Sequence, residues 1–147
     1  MTLASVPHER QVWWSVSFLA WTVSLVATAG ALFLGEVMGL IPCVLCWYQR
    51  IAMFPIVLIL GVGLLILDHR SVIYALCLAC AGWMVALYHC LLYWGMIPEN
   101  LAACGKSTSC SEGQLAIGGL PSIPLLSLIA FSLIVACLTT AMRRSPR

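Results

Sequence analysis

Charge is what this chain has least of: 8% of its 147 residues are Asp, Glu, Lys or Arg, against about a quarter in an ordinary soluble domain. That shortage excludes a charged shell around a water-facing core. With 63% of residues hydrophobic, the solvent for most of the chain is lipid. A formal net charge of +2 provides no basic surface for nucleic acid. The chain also lacks the alternating apolar and polar positions of barrel strands. Its spanning segments are therefore expected to be helices, whose backbone groups are all bonded within their own segment.

What is present is apolar sequence in blocks. Crossing a hydrocarbon core of about 30 Å takes about 20 helical residues, and four blocks reach that length: 12–34, 45–67, 72–94 and 122–142. The expected fold is an all-α four-transmembrane-helix bundle, a single integral membrane domain over 1–147 with a long connection at 95–121. Arg10 precedes the first block, Arg70 lies between the second and third, and Arg143, Arg144 and Arg147 follow the fourth. These positions fall on one side of an up-and-down bundle, so the positive-inside rule predicts that both termini are cytoplasmic and that segments 35–43 and 95–121 face outward. Trp13, Trp14, Trp47, Tyr48, Tyr93 and Trp94 sit where interfacial aromatics are expected. A cleaved signal peptide ending near Ala27-Thr28-Ala29 is the alternative for the first block. The apolar run continues past that site to Leu34, and cleavage would leave an odd number of spans, so an uncleaved helix is the simpler reading.

Eight cysteines sort by depth. Cys43, Cys46, Cys104 and Cys110 fall at or outside the external surface, where disulfides persist; Cys77, Cys80, Cys90 and Cys137 fall within helices. Pro42 is expected at the first position of helix two, which puts the Cys43-Val44-Leu45-Cys46 motif in the first turn. Unpaired N–H groups and the helix dipole there favour a thiolate. Arg50 follows Cys46 by four residues and Cys43 by seven, so the three side chains are expected on one face, with Arg50 starting about 6 Å below Cys46. A fixed cation beside a thiolate suits a quinone; an interfacial anchor beside a metal half-site is the alternative. Cys104 and Cys110 lie in a polar loop that an incoming protein thiolate could reach, or form a structural staple. Cys77-Leu78-Ala79-Cys80 matches the same motif but lies in the inner half of helix three with no activating charge, and reads as a pair of small apolar residues. His89, near the outer end of helix three, is either a packing histidine or a partner of Arg50 at a quinone oxygen. No metal is required.

The run Pro42-Cys43-Val44-Leu45-Cys46-Trp47-Tyr48-Gln49-Arg50 resembles the signature of the disulfide bond formation protein B (DsbB) family. The short spacing from Cys104 to Cys110 and the Pro-Ser-Ile-Pro sequence at 121–124 are similar to its shorter, BdbC-like branch. The resemblance implies a multi-pass protein of the bacterial cell membrane in the relay that keeps the bacterial periplasm oxidising. Its donor would be a thioredoxin-fold (DsbA- or BdbD-like) dithiol oxidase and its acceptor a membrane quinone, ubiquinone or menaquinone. It further implies that Cys104 takes the mixed disulfide with the partner, Cys110 exchanges with Cys43, Cys46 is the thiolate beside the quinone, Arg50 polarises the quinone oxygen, and His89 lies nearby. Two rival readings differ in kind. A vitamin K-type quinone-epoxide reductase carries its quinone-side CXXC on the last helix of the bundle, whereas here the motif opens helix two. A non-catalytic protein could hold zinc with the four external cysteines.

Overall fold

A computed structural model describes residues 8–40, 42–96 and 122–144. They form four long helices: α1 (His8–Leu32), continued by a π-helical turn (Phe33–Val37), α2 (Val44–Ile66), α3 (Arg70–Tyr93) and α4 (Ile123–Arg143). All four are long and apolar enough to cross a membrane, and there is no strand among the described residues. The helices pack in ring order, each against the next and α4 back onto α1.

Buried positions on every helix recur three and four residues apart, the spacing of a left-handed bundle seam. On α1 they are Trp13, Ser17, Ala20 and Ser24; on α4, Phe131, Ile134, Leu138 and Ala141. On α3 the seam runs Val72, Ala75, Ala79, Gly82, Ala86, His89. Lipid offers no hydrophobic drive between helices, so small residues that let backbones approach carry the packing. Gly82 shows this directly, because a Cβ there would run into the Phe131 ring.

The link between α2 and α3 is short. Leu67 takes a left-handed conformation (φ 55°) and caps α2 through its N–H to Gly63 O; the Asp68 carboxylate accepts from Arg70 N, and Ser71 Oγ donates to the Asp68 carbonyl. This turn makes α2 and α3 an antiparallel pair and sets their register. Gln49 and His89 each lie about 27 to 30 Å along their helices from it, at 1.5 Å per residue, and so meet at the far end of the bundle.

Several boundaries differ from the sequence reading. Helix α1 starts at His8, before the apolar run, because His8, Glu9 and Arg10 extend it by a polar turn. Arg70 is the first residue of α3 and not part of a linker. Trp13 packs inward at that end of the bundle: it is buried, with its ring 4.2 Å from that of His69. Trp14, Trp47, Tyr48 and Trp94 are exposed on the bundle surface.

Candidate active site

The site begins at the N-terminus of α2. Cys43 is the N-cap, with extended backbone (φ −67°, ψ 167°), and its sulfur accepts the Cys46 N–H at 3.3 Å. The sulfur thus takes the place of the side-chain oxygen that usually satisfies an unpaired first-turn donor. Pro42 precedes this cap, so the helix starts later than a proline at its first position would require. The Cys43 thiol donates to the Cys46 sulfur across 2.8 Å. That hydrogen bond, then burial, then the charge on the neighbouring sulfur push the Cys43 thiol above its ordinary range, outweighing the backbone N–H groups that act in the opposite sense. Helix-terminus stabilisation, expected for both cysteines, is thus outweighed at Cys43.

The N-cap geometry also separates the two cysteines in space. Cys46, Gln49 and Arg50 line a cavity of about 550 Å³ between α1, α2 and α4. Cys43 does not line it; the residue is buried and turned toward α3, with its sulfur 3.9 Å from His89 Nε2. The expected single face of Cys43, Cys46 and Arg50 therefore holds for Cys46 and Arg50 only, since a cap residue lies outside the helical periodicity.

Arg50 reaches sideways to α1. Its Nη2 donates to the Ala31 carbonyl at 2.6 Å, and its guanidinium carbon lies 5.7 Å from the Trp47 ring centroid, within cation–π range. Gly35, in the π-helical turn, makes room: a Cβ there would stand 3.0 Å from Nη2. π-Turns recur at functional sites, and this one lies against Arg50, the one cation among the described residues that line the cavity. A guanidinium has five N–H donors, so the Ala31 bond leaves donors for a ligand. Beyond Arg50 and Gln49 the walls are largely apolar and include Val26, Ile129 and Leu133, which are exposed on the outer surface of the bundle. The cavity accordingly opens sideways, toward the surface that lipid covers.

His89 is fully buried and outside the cavity lining. Its Nδ1 lies 3.3 Å from Gln49 Nε2, so it borders the cavity through Gln49 and, by way of Cys43, through Cys46. An expected direct role beside Arg50 is thus replaced by a place between Gln49 and Cys43. Gln49 is the residue that the sequence reading missed. Its signal was available: Leu45, Gln49, Ala52, Ile56, Leu60 and Gly63 form the buried seam of α2, and a polar residue on that seam needs a partner.

Cys77 and Cys80 are exposed on the outer surface of α3, Cys137 is half-buried and Cys90 is buried. The inner CXXC pair therefore faces lipid and is not packed in the core. Cys104 and Cys110 lie outside the described residues. Among those described, Cys43, Cys46 and His89 are the group whose donor atoms could hold a metal.

A family model described as "Disulfide bond formation protein DsbB" matches residues 11–141. The chain belongs to the DsbB family. This DsbB-family chain is 40% identical over 140 residues to a "Probable disulfide formation protein" of Metapseudomonas resinovorans, covering 95% of the chain and 97% of the relative. It is 38% identical over 118 residues to "Disulfide bond formation protein C" of Bacillus subtilis (strain 168), covering 80% and 86%. No solved structure matches it. The DsbB family assignment and four membrane-spanning helices make this a multi-pass membrane protein of disulfide formation.

Proposed function

We propose that this chain is a thiol:quinone oxidoreductase that regenerates the disulfide of an extracytoplasmic thioredoxin-fold oxidase. One observation carries the quinone reading: a single cavity wall presents Cys46 and Arg50, with Gln49 between them, at the head of an otherwise largely apolar space. Its volume falls in the range of small-molecule sites. The residues fit a quinone, since a planar ring with two carbonyl oxygens wants a cationic donor at one edge and apolar walls for its ring and tail. When bound, a quinone accepts two electrons and two protons. The chain's own part is to place the Cys46 sulfur at the cavity and to offer the unused Arg50 donors there. In this reading both termini are cytoplasmic, and the α2 N-terminus faces the compartment of the partner.

Electrons enter at Cys104–Cys110. A partner thiolate attacks Cys104 and releases the Cys110 thiolate, and the partner's second thiolate then resolves the mixed disulfide. The reduced loop pair passes its electrons to the Cys43–Cys46 disulfide by the same exchange, which would leave the Cys46 thiolate at the cavity where a bound quinone would accept them. A partner lacking its second cysteine cannot resolve the mixed disulfide and should be trapped on Cys104, visible as a reducible higher-mass band that Cys104→Ser abolishes. A trapped bond that maps to Cys43 or Cys46 would make the loop pair structural and the order wrong.

The acceptor is tested by absorption spectroscopy. Purified protein mixed with ubiquinone or menaquinone should develop a visible charge-transfer band that neither component has alone, absent in Cys46→Ser. A flat difference spectrum with both quinones, together with no quinone-dependent oxidation of the Cys43–Cys46 dithiol, would overturn the reading.

A further inference from the structure

We propose that Cys43, Cys46 and His89 form a binding site for a thiophilic divalent cation, zinc by chemistry, that holds the dithiol in its reduced state. The three donor atoms lie within 4.8 Å of one another and come from two helices, so the site is built by the α2–α3 packing and not by the CXXC sequence alone. Two thiolates and an imidazole are a borderline-soft set that suits zinc, with bonds of about 2.3 Å to sulfur and 2.0 to 2.1 Å to nitrogen. A tetrahedral ion would then set the sulfurs about 3.8 Å apart, and sulfur and nitrogen about 3.6 Å apart. The observed separations are 2.8 Å for the sulfurs and 3.9 Å from Cys43 Sγ to His89 Nε2. Half-buried Cys46 has to swing outward by about 1 Å, while Cys43 and His89 stay almost in place.

Two further features favour the ion. Gln49 stands on the other ring nitrogen of His89 at 3.3 Å, where metal-binding histidines usually have a second partner that orients the ring. A metal at Nε2 puts the ring proton on Nδ1, and a half-turn of the Gln49 amide presents its oxygen to that proton over the same distance. Charge is the second. One divalent cation, two thiolates and a neutral imidazole sum to zero, and a neutral complex is the form least penalised in this buried position. Binding displaces two protons from the thiols and moves no electrons. The disulfide form has no thiolates to offer, so the ion recognises the reduced state alone. Water completes the coordination.

Binding follows from the geometry; its consequence, a reversible block on handing electrons onward, rests on the thiol–quinone reading. The test separates them. Full-length protein carrying Cys104→Ser and Cys110→Ser, reduced with a phosphine, is titrated with Co²⁺ and then Zn²⁺, with no quinone or partner present. One equivalent of Co²⁺ should give the intense visible bands of a tetrahedral site with a thiolate-to-cobalt transition, and Zn²⁺ should abolish them. Cys46→Ser and His89→Gln should each weaken binding at least tenfold, and Gln49→Leu by about ten- to a hundredfold with all three ligands intact. Unfolding temperature and a monodisperse elution profile establish that each variant is folded. Binding unchanged by His89→Gln, or lost on Cys77→Ser with Cys80→Ser, would overturn the site. Zinc bound at the site without slowing quinone reduction by the dithiol would leave the site standing and overturn the block.

Discussion

Arg50→Ala should raise the apparent KM for quinone about ten- to a hundredfold while single-turnover exchange between the partner and Cys104–Cys110 continues. The variant removes a charge-assisted hydrogen bond worth roughly 1.5 to 3 kcal/mol, which converts to that range of affinity. The exchange step needs only sulfurs, so it survives. Arg50→Lys should recover part of the loss. An ammonium keeps the charge, but it lacks the planar fork that serves the Ala31 carbonyl and a ligand together. The measurement is quinone KM beside single-turnover thiol exchange in each variant. An unchanged KM would reduce Arg50 to a tie between α2 and α1, and loss of both activities would point to a collapsed bundle.

Gly30→Trp should weaken quinone binding by a similar or larger factor, without touching any sulfur or charge. Gly30 lines the cavity and is exposed at its edge, and a Cβ built there meets nothing within 4 Å. An indole at that position narrows the entrance. Gly30→Ala supplies the control: it fills little space and should stabilise α1 by about 0.5 to 1 kcal/mol, the usual gain from replacing a mid-helix glycine. The pair should therefore separate, with KM near the parent value for alanine and raised about a hundredfold for tryptophan, a change of roughly 2.7 kcal/mol. Equal KM values in the two would mean that the cavity is not the quinone route.

The four spans were legible because length and hydropathy alone specify them. Their ends were less so: His8, Glu9 and Arg10 carry no apolar signal, yet they continue α1. Trp13 and Trp14 look alike in sequence, and only the seam spacing through Ser17, Ala20 and Ser24 tells the buried one from the exposed one. The neighbourhood of Cys46 and Arg50 follows from one helical turn, whereas Cys43 was misplaced because a cap residue does not obey that turn. Gln49 and His89 face each other through tertiary register, set by the turn at Leu67 on the opposite end of the bundle. Each is nevertheless a polar residue on an apolar three-four repeat, and that pattern marks both as buried. The π-helical turn has no periodic signature, so the room that Gly35 leaves for Arg50 emerges only from the fold.

The sideways mouth of the cavity changes what concentration means for this protein. A ligand that enters between α1 and α4, past Val26, Ile129 and Leu133, arrives by diffusion within the membrane plane and never passes through water. Saturation is then governed by the mole fraction of ligand in the bilayer. Adding empty lipid or detergent at fixed ligand and enzyme should slow turnover through two-dimensional dilution, although nothing in the aqueous phase has changed.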